Sequence, residues 1–129
     1  MEAWQQAWAL YRADMSKPEY GTPAGDFRPC LLVAYDIAQV LLHGHQDLSV
    51  MRLTREGGFT FKPKHVPEEF EAWGEHFVCV CDGTVYDPML DQPVPLNDYC
   101  EVMFGMPLPM RIHKTRDQLK YLLEGVTVD

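Results

Sequence analysis

The clearest pattern is an apolar run, HFVCVC, followed by the polar pair Asp82-Gly83 and the segment TVYD; over residues 76–87 it predicts a β-hairpin. The first six residues are rich in Val, Phe and Cys, which favour extended backbone, and the last four run back. Asp82-Gly83 between them is typical of a two-residue type I′ turn. Such a turn fixes the register of the hairpin, with Cys81 facing Thr84.

This register places a histidine beside a carboxylate. Because successive side chains of a strand point to opposite faces, His76 and Asp87 fall on the same face of the hairpin. They are diagonal neighbours, with backbones about 7–8 Å apart, which a ring and a carboxylate can bridge. Cys79 and Cys81 point to the other face, and we expect them to pack in the core.

Residues 27–43 predict the second feature, a buried central helix. Pro29 suits its first turn, Asp26 is a suitable cap before it, and Gly44 is a stop signal. The apolar side chains between them cover almost the whole circumference, which is typical of a helix buried on all sides. Cys30 occupies the first turn.

The other segments have weaker patterns. Before the central helix we predict an amphipathic helix at 2–15 and a Pro- and Gly-rich loop at 16–26. Between the central helix and the hairpin we predict a strand at 47–54 and a polar loop at 55–71. After the hairpin we predict a loop at 91–95, a short helix at 96–104 capped by Asn97, and a short helix at 115–123 capped by Thr115 and ended by Gly125. The four histidines other than His76 are expected to be solvated.

Length and charge narrow the class of protein. A chain of 129 residues with 47% apolar residues predicts a single globular domain, residues 1–129. The formal net charge of −8 disfavours nucleic acid and anionic membranes as partners, since both attract clustered Lys and Arg.

No segment has the length of a membrane span, and the N-terminus lacks the features of a Sec signal. The four cysteines are interpreted as thiols in a reducing compartment. We therefore expect a cytoplasmic protein, or one delivered into a target cell by a specialised secretion system.

Cys30, His76 and Asp87 together suggest nucleophilic catalysis. A thiolate is the reactive form of cysteine, and the free N–H groups and dipole at a helix N-terminus stabilise it. His76 would take or share the thiol proton, and Asp87 would orient the imidazole. The backbone N–H of Cys30 would supply one oxyanion donor, while the second donor is unassigned.

FRPCLLVAYDIAQVLL, followed by WGEHFVCVCDGTVYDPML, resembles the papain-like and transglutaminase-like cysteine enzyme superfamily. The closest likeness is to compact papain-fold toxin and deamidase-like effector domains of bacteria, over about residues 27–104. The resemblance implies an α+β fold, a buried helix packed on a small antiparallel sheet, with Cys30, His76 and Asp87 as the catalytic triad. It also implies a protein or peptide substrate, no cofactor or metal, and a cognate immunity or inhibitor protein as partner.

Two departures from true papain peptidases shift the expected reaction. The Cys-Gly-Ser-Cys-Trp context is absent around Cys30, and no Gln stands a few residues before it. In addition, the third residue of the triad, Asp87, is Asp where papain peptidases have Asn; transglutaminases and several deamidases also have Asp. We expect chemistry on a side-chain amide, with glutamine deamidation first, transamidation second and cleavage by a cysteine peptidase third.

Two other classes of function are open. Cys79, Cys81, Cys100 and His76 could be a zinc set, although alternation places Cys79 and Cys81 on the face opposite His76. A non-enzymatic binding or immunity module would also suit a small acidic chain, and His76 and Asp87 would then be structural.

Overall fold

The computed structural model describes residues 28–42, 47–64, 72–87, 89–90 and 92–124, and for residues 28–30, 32 and 124 the backbone alone. The helix predicted at 2–15, the loop at 16–26, the stop at Gly44 and the end at Gly125 lie outside the described residues. So does the sulfur of Cys30.

The described chain has an α+β architecture, as predicted, with three α-helices and a five-stranded antiparallel sheet in the order β4-β3-β2-β1-β5. None of its helices has the length and apolar character needed to cross a bilayer. In chain order the elements are α1 (Arg28–Leu41), β1 (Leu48–Leu53), a 3-10 turn (Glu56–Gly58), β2 (His76–Cys81), β3 (Thr84–Tyr86), β4 (Val94–Pro95), α2 (Leu96–Phe104), β5 (Met110–Thr115) and α3 (Arg116–Glu124).

The hairpin of β2 and β3 has the predicted turn and register. Asp82 and Gly83 both have positive φ, 52° and 76°, as a type I′ turn requires. Cys81 faces Thr84, and the pairing continues to Cys79 opposite Tyr86.

A separate hydrophobic cluster covers each face of the sheet. On one face, Phe77, Cys79 and Cys81 pack with α1 and with Leu119 of α3. On the other face, Val78, Val80 and Val85 pack with α2 and the segment around Trp73. The prediction that Cys79 and Cys81 are core residues is confirmed.

Helix α1 is buried along one stripe and not all round, so this prediction was wrong. Val33, Ala34, Ile37, Ala38 and Leu41 are buried, whereas Asp36 and Val40 are half-buried and Gln39 is exposed. An apolar circumference does not reveal how many layers pack around a helix, and here the sheet covers one side.

The ends of the short helices follow different rules. In α3 the Gln118 N–H donates to Thr115 Oγ1 (3.3 Å) and Gln118 Oε1 accepts from the Thr115 N–H (2.8 Å), a capping box that confirms Thr115 as the cap. Helix α2 has its predicted bounds, but Pro95 precedes it and makes no side-chain cap, so the prediction of Asn97 was wrong. Strand β1 was predicted, whereas β4 and β5 were not.

Candidate active site

His76 and Asp87 are in direct contact inside the protein. The Nε2 atom of His76 lies 2.9 Å from Oδ2 of Asp87, and each residue is only 1% exposed. His76 is the first residue of β2, and Asp87 directly follows β3. The adjacency predicted from alternation and register is confirmed.

Asp87 also accepts two further hydrogen bonds. The hydroxyl of Tyr99, on α2, donates to Oδ2 (2.5 Å), and the backbone N–H of Met89 donates to Oδ1 (3.0 Å). Burial by itself would raise the pKa of Asp87, but the charge of His76 and the hydrogen bonds from His76, Tyr99 and Met89 outweigh it and lower the pKa. Asp87 is therefore a carboxylate at neutral pH, and Nε2 of His76 carries the hydrogen that it donates.

Aromatic rings enclose the imidazole. Trp73 stacks on His76 with ring centroids 4.3 Å apart and an interplanar angle of 7°, and Phe104 lies edge-on with centroids 6.4 Å apart. Trp73 is held by backbone hydrogen bonds to Phe61 in both directions. The imidazole is therefore held in place by an indole face, a phenyl edge and the Asp87 carboxylate.

Sequence reasoning did not identify Tyr99, Trp73 and Phe104 as partners of the pair. Trp73 lies three residues before His76, but proximity in sequence does not predict a stacked geometry. For α2, the spacing of Tyr99 and Met103 marks one buried helix face. Only the packing of that face on the sheet brings the hydroxyl to Asp87.

The first turn of α1, which contains Cys30, lies toward the end of the sheet where His76 begins β2. At the other end of α1, Arg116 Nη2 donates to the carbonyl of Leu42 (2.7 Å), and Arg116 follows the end of β5 that pairs with Ser49. A 14-residue helix is about 21 Å long, close to the length of a six-residue strand, so α1 spans the sheet.

The His76–Asp87 pair and the first turn of α1 lie on opposite faces of the sheet at the end where β2 begins. Phe77, the residue after His76, packs in the cluster of α1, so His76 faces α2. The structure thus brings His76 and Asp87 together and directs the turn of Cys30 to the same end.

The three described cysteines lack the surroundings that activate a thiol. Burial raises the pKa of Cys79, Cys81 and Cys100; the charge of Cys81 adds to the shift at Cys79, and that of Asp82 adds to it at Cys81, where Arg116 opposes it. Cys79 and Cys81 point to α1 whereas His76 points to α2, so they share no site. No cluster of three or more potential metal ligands occurs among the residues that the structure describes.

His113 departs from the expectation that the other histidines are solvated. It is half-buried, its Nε2 lies 3.1 Å from the Tyr35 hydroxyl, and its ring meets that of Phe77 edge-on at 4.9 Å. Burial, followed by the charges of Lys114 and Arg52, lowers its pKa, while Glu75 opposes the shift. His43, His45 and His65 lie outside the described residues.

No protein-family model, curated protein or solved structure matches this chain.

Replacing Tyr99 by Phe tests the hydrogen bonding of the buried carboxylate. Tyr99→Phe should lower the free energy of unfolding at pH 7 by about 1–3 kcal/mol, because the ring is retained while a charged acceptor loses a donor. This hydrogen bond lowers the pKa of Asp87 in the folded protein. Its contribution to stability is therefore fully present above the unfolded pKa of Asp87, and it is lost as the pH falls from that value through the folded pKa. Urea unfolding should therefore show a difference that shrinks below about pH 4. Tyr121→Phe, at an exposed position of α3, is the matched control.

Proposed function

We propose that the protein is a cysteine-dependent amide hydrolase or acyltransferase with a papain-like fold. Cys30 is the nucleophile, His76 the base and proton donor, and Asp87 the group that orients the imidazole. The observation that supports this most is the buried His76–Asp87 hydrogen bond, at the end of the sheet to which the first turn of α1 runs. An ionised carboxylate and a stacked indole are the surroundings that stabilise an imidazolium.

The proposed reaction is acyl transfer through a thioester. His76 takes the proton of the Cys30 thiol through Nδ1, since Nε2 is bonded to Asp87. The thiolate attacks the amide carbon, and the C–N bond breaks as the imidazolium protonates the leaving nitrogen. Water then releases a carboxylic acid, or an amine forms a new amide, and the thiol is restored.

Deamidation of a glutamine side chain in a protein is the preferred reaction. Transamidation comes second and peptide cleavage third. Two features support this order. Asp87 stands where papain peptidases have Asn, and the Cys-Gly-Ser-Cys-Trp sequence of those peptidases is absent around Cys30. A toxin- or effector-type enzyme of this kind would act on a protein of a target cell, and a cognate immunity or inhibitor protein would hold it inactive.

The burial of the pair favours a second candidate, a non-enzymatic binding module. His76 and Asp87 are each 1% exposed and are enclosed by Trp73, Tyr99 and Phe104, as in a structural polar network. In that function Cys30 would have no activated thiolate.

Alkylation of the four thiols distinguishes the two candidates. At pH 6–7, iodoacetamide should modify Cys30 of the folded protein much faster than Cys79, Cys81 and Cys100, because burial raises the pKa of these three thiols. Peptide mapping by mass spectrometry gives the rate at each site, and the urea-unfolded protein provides the intrinsic rates. Equal protection of all four thiols would favour the binding module.

Intact-mass analysis identifies the reaction. After incubation with an unfolded, glutamine-rich protein such as casein, deamidation adds about 1 Da per glutamine, transamidation adds the mass of a supplied amine, and proteolysis produces fragments. Cys30→Ala is the control for each change. Products that form equally with wild type and Cys30→Ala would refute the thiol mechanism.

A further inference from the structure

Two arginines lie directly opposite each other on the face of the sheet that carries α1. Arg52 of β1 is the pairing partner of Arg111 of β5 and also of Phe77, which packs with the α1 cluster. Arg111 is exposed, and the side chain of Arg52 is 50% exposed. Like charges on directly opposed residues of an antiparallel pair are destabilising, so this arrangement has a cost in the free protein.

A neighbouring carboxylate offsets the charge of Arg52 but not that of Arg111. Glu75 forms an ion pair with Arg52, and no described carboxylate forms a salt bridge with Arg111. Residues 110–115, MRIHKT, contain the two cations Arg111 and Lys114 and no acidic side chain, in a chain whose net charge is −8. This strip of β5 is therefore positive against the overall charge of the protein.

The patch adjoins the end of the sheet where the catalytic residues are proposed to meet. Arg52 and Arg111 are in the row of Phe77, one row inside that of His76, Leu53 and Met110. His113 and Tyr35, whose polar atoms are 3.1 Å apart, lie beside Phe77 on the same side. A segment bound near the first turn of α1 would thus meet two guanidinium groups.

We propose that Arg52 and Arg111 form a docking surface for an acidic segment of the substrate protein. This inference rests on the proposed function, and it specifies the substrate as a glutamine with carboxylates nearby in sequence. Guanidinium groups suit this partner because each presents a planar set of donors that matches a carboxylate. Carboxylates on the partner would pair with Arg111, which forms no salt bridge with a described carboxylate, and would add to the pairing of Arg52 with Glu75.

Two matched peptides test the surface by direct binding. Each has a fluorescein label and a central glutamine, with three glutamates on each side in one and three lysines in the other. Fluorescence anisotropy with the Cys30→Ala protein measures binding without turnover. At low salt the acidic peptide should bind at least about tenfold more tightly than the basic one, and the difference should fall in 0.5 M salt.

Arg111→Glu and Lys64→Glu are variants with the same change of charge. Arg111→Glu should weaken binding of the acidic peptide about tenfold and should retain the fold, since it replaces a repulsion with Arg52 by an attraction. Lys64, exposed beside α2, is outside the patch, and Lys64→Glu should bind as the parent protein does. Equal affinity for both peptides, or equal losses in both variants, would overturn the proposal.

A third ligand separates a protein partner from a nucleic acid. Single-stranded oligothymidylate with six phosphates should bind more weakly than the acidic peptide, and tighter binding that Arg111→Glu abolishes would overturn the inference. Binding and turnover are separate measurements. Selective binding of the acidic peptide without thiol reactivity at Cys30 would refute the proposed enzyme and support the docking surface. Thiol reactivity at Cys30 without selective binding would refute the docking surface alone.

Discussion

His76→Ala is expected to lower the free energy of unfolding at pH 7 by about 3–5 kcal/mol, because it removes a buried ring stacked on Trp73 and leaves the Asp87 carboxylate without the hydrogen bond from Nε2. The hydrogen bonds from Tyr99 and Met89 would remain, but neither fills the space of the imidazole. The same change should lower the rate of amide hydrolysis about 10²–10⁴-fold if His76 transfers the proton. Urea unfolding measures the first effect and product formation the second.

A double-mutant cycle assigns the loss of stability to the pair. Asp87→Asn removes the carboxylate charge that His76→Ala leaves without its partner. The loss of stability in the double variant should therefore be smaller than the sum of the two single losses, with a coupling of about 0.5–3 kcal/mol. Additive losses would mean that the two side chains do not interact. A His76→Ala protein as stable as the wild type would contradict a stabilising hydrogen bond between His76 and Asp87.

Cys30→Ala is expected to abolish amide hydrolysis while it leaves the fold intact. The sulfur is the nucleophile in the proposed reaction, and no other described thiol can replace it, because burial raises the pKa of each. Alanine is the best helix former and should preserve the first turn of α1. Activity on the glutamine-rich protein, followed by intact mass, gives the result.

Cys100→Ala provides the matched control for this variant. Cys100 is half-buried on α2 and donates weakly to the carbonyl of Leu108 (3.9 Å), so it contributes to packing and has no part in the reaction. Full activity is expected in Cys100→Ala. Activity retained in Cys30→Ala, or lost equally in both variants, would exclude Cys30 as the nucleophile.

The accuracy of the sequence predictions depended on whether local rules determine the structure. Asp82-Gly83 selects its turn through backbone conformation alone, and from this turn the register and the meeting of His76 with Asp87 follow. Thr115 and Gln118 likewise form their capping box within four residues. These features needed no knowledge of the rest of the fold.

Features that depend on tertiary packing were missed. Strand β5 alternates weakly because it is an edge strand with an exposed Ile112 and a bulge at the register shift between Val50 and Met51 of β1. The Tyr99 hydroxyl reaches Asp87 only because α2 packs on the face opposite α1. That the pair and α1 lie on opposite faces follows from Phe77 facing α1, which alternation alone does not decide.

The alternation of side chains along β2 also limits how this part of the protein can change in evolution. Loss or gain of a single residue within the strand would rotate the imidazole to the side of α1, away from the carboxylate and the indole. Changes of two residues would keep the phase. Homologous chains should therefore differ in length within this strand by even numbers of residues, or should compensate with a bulge.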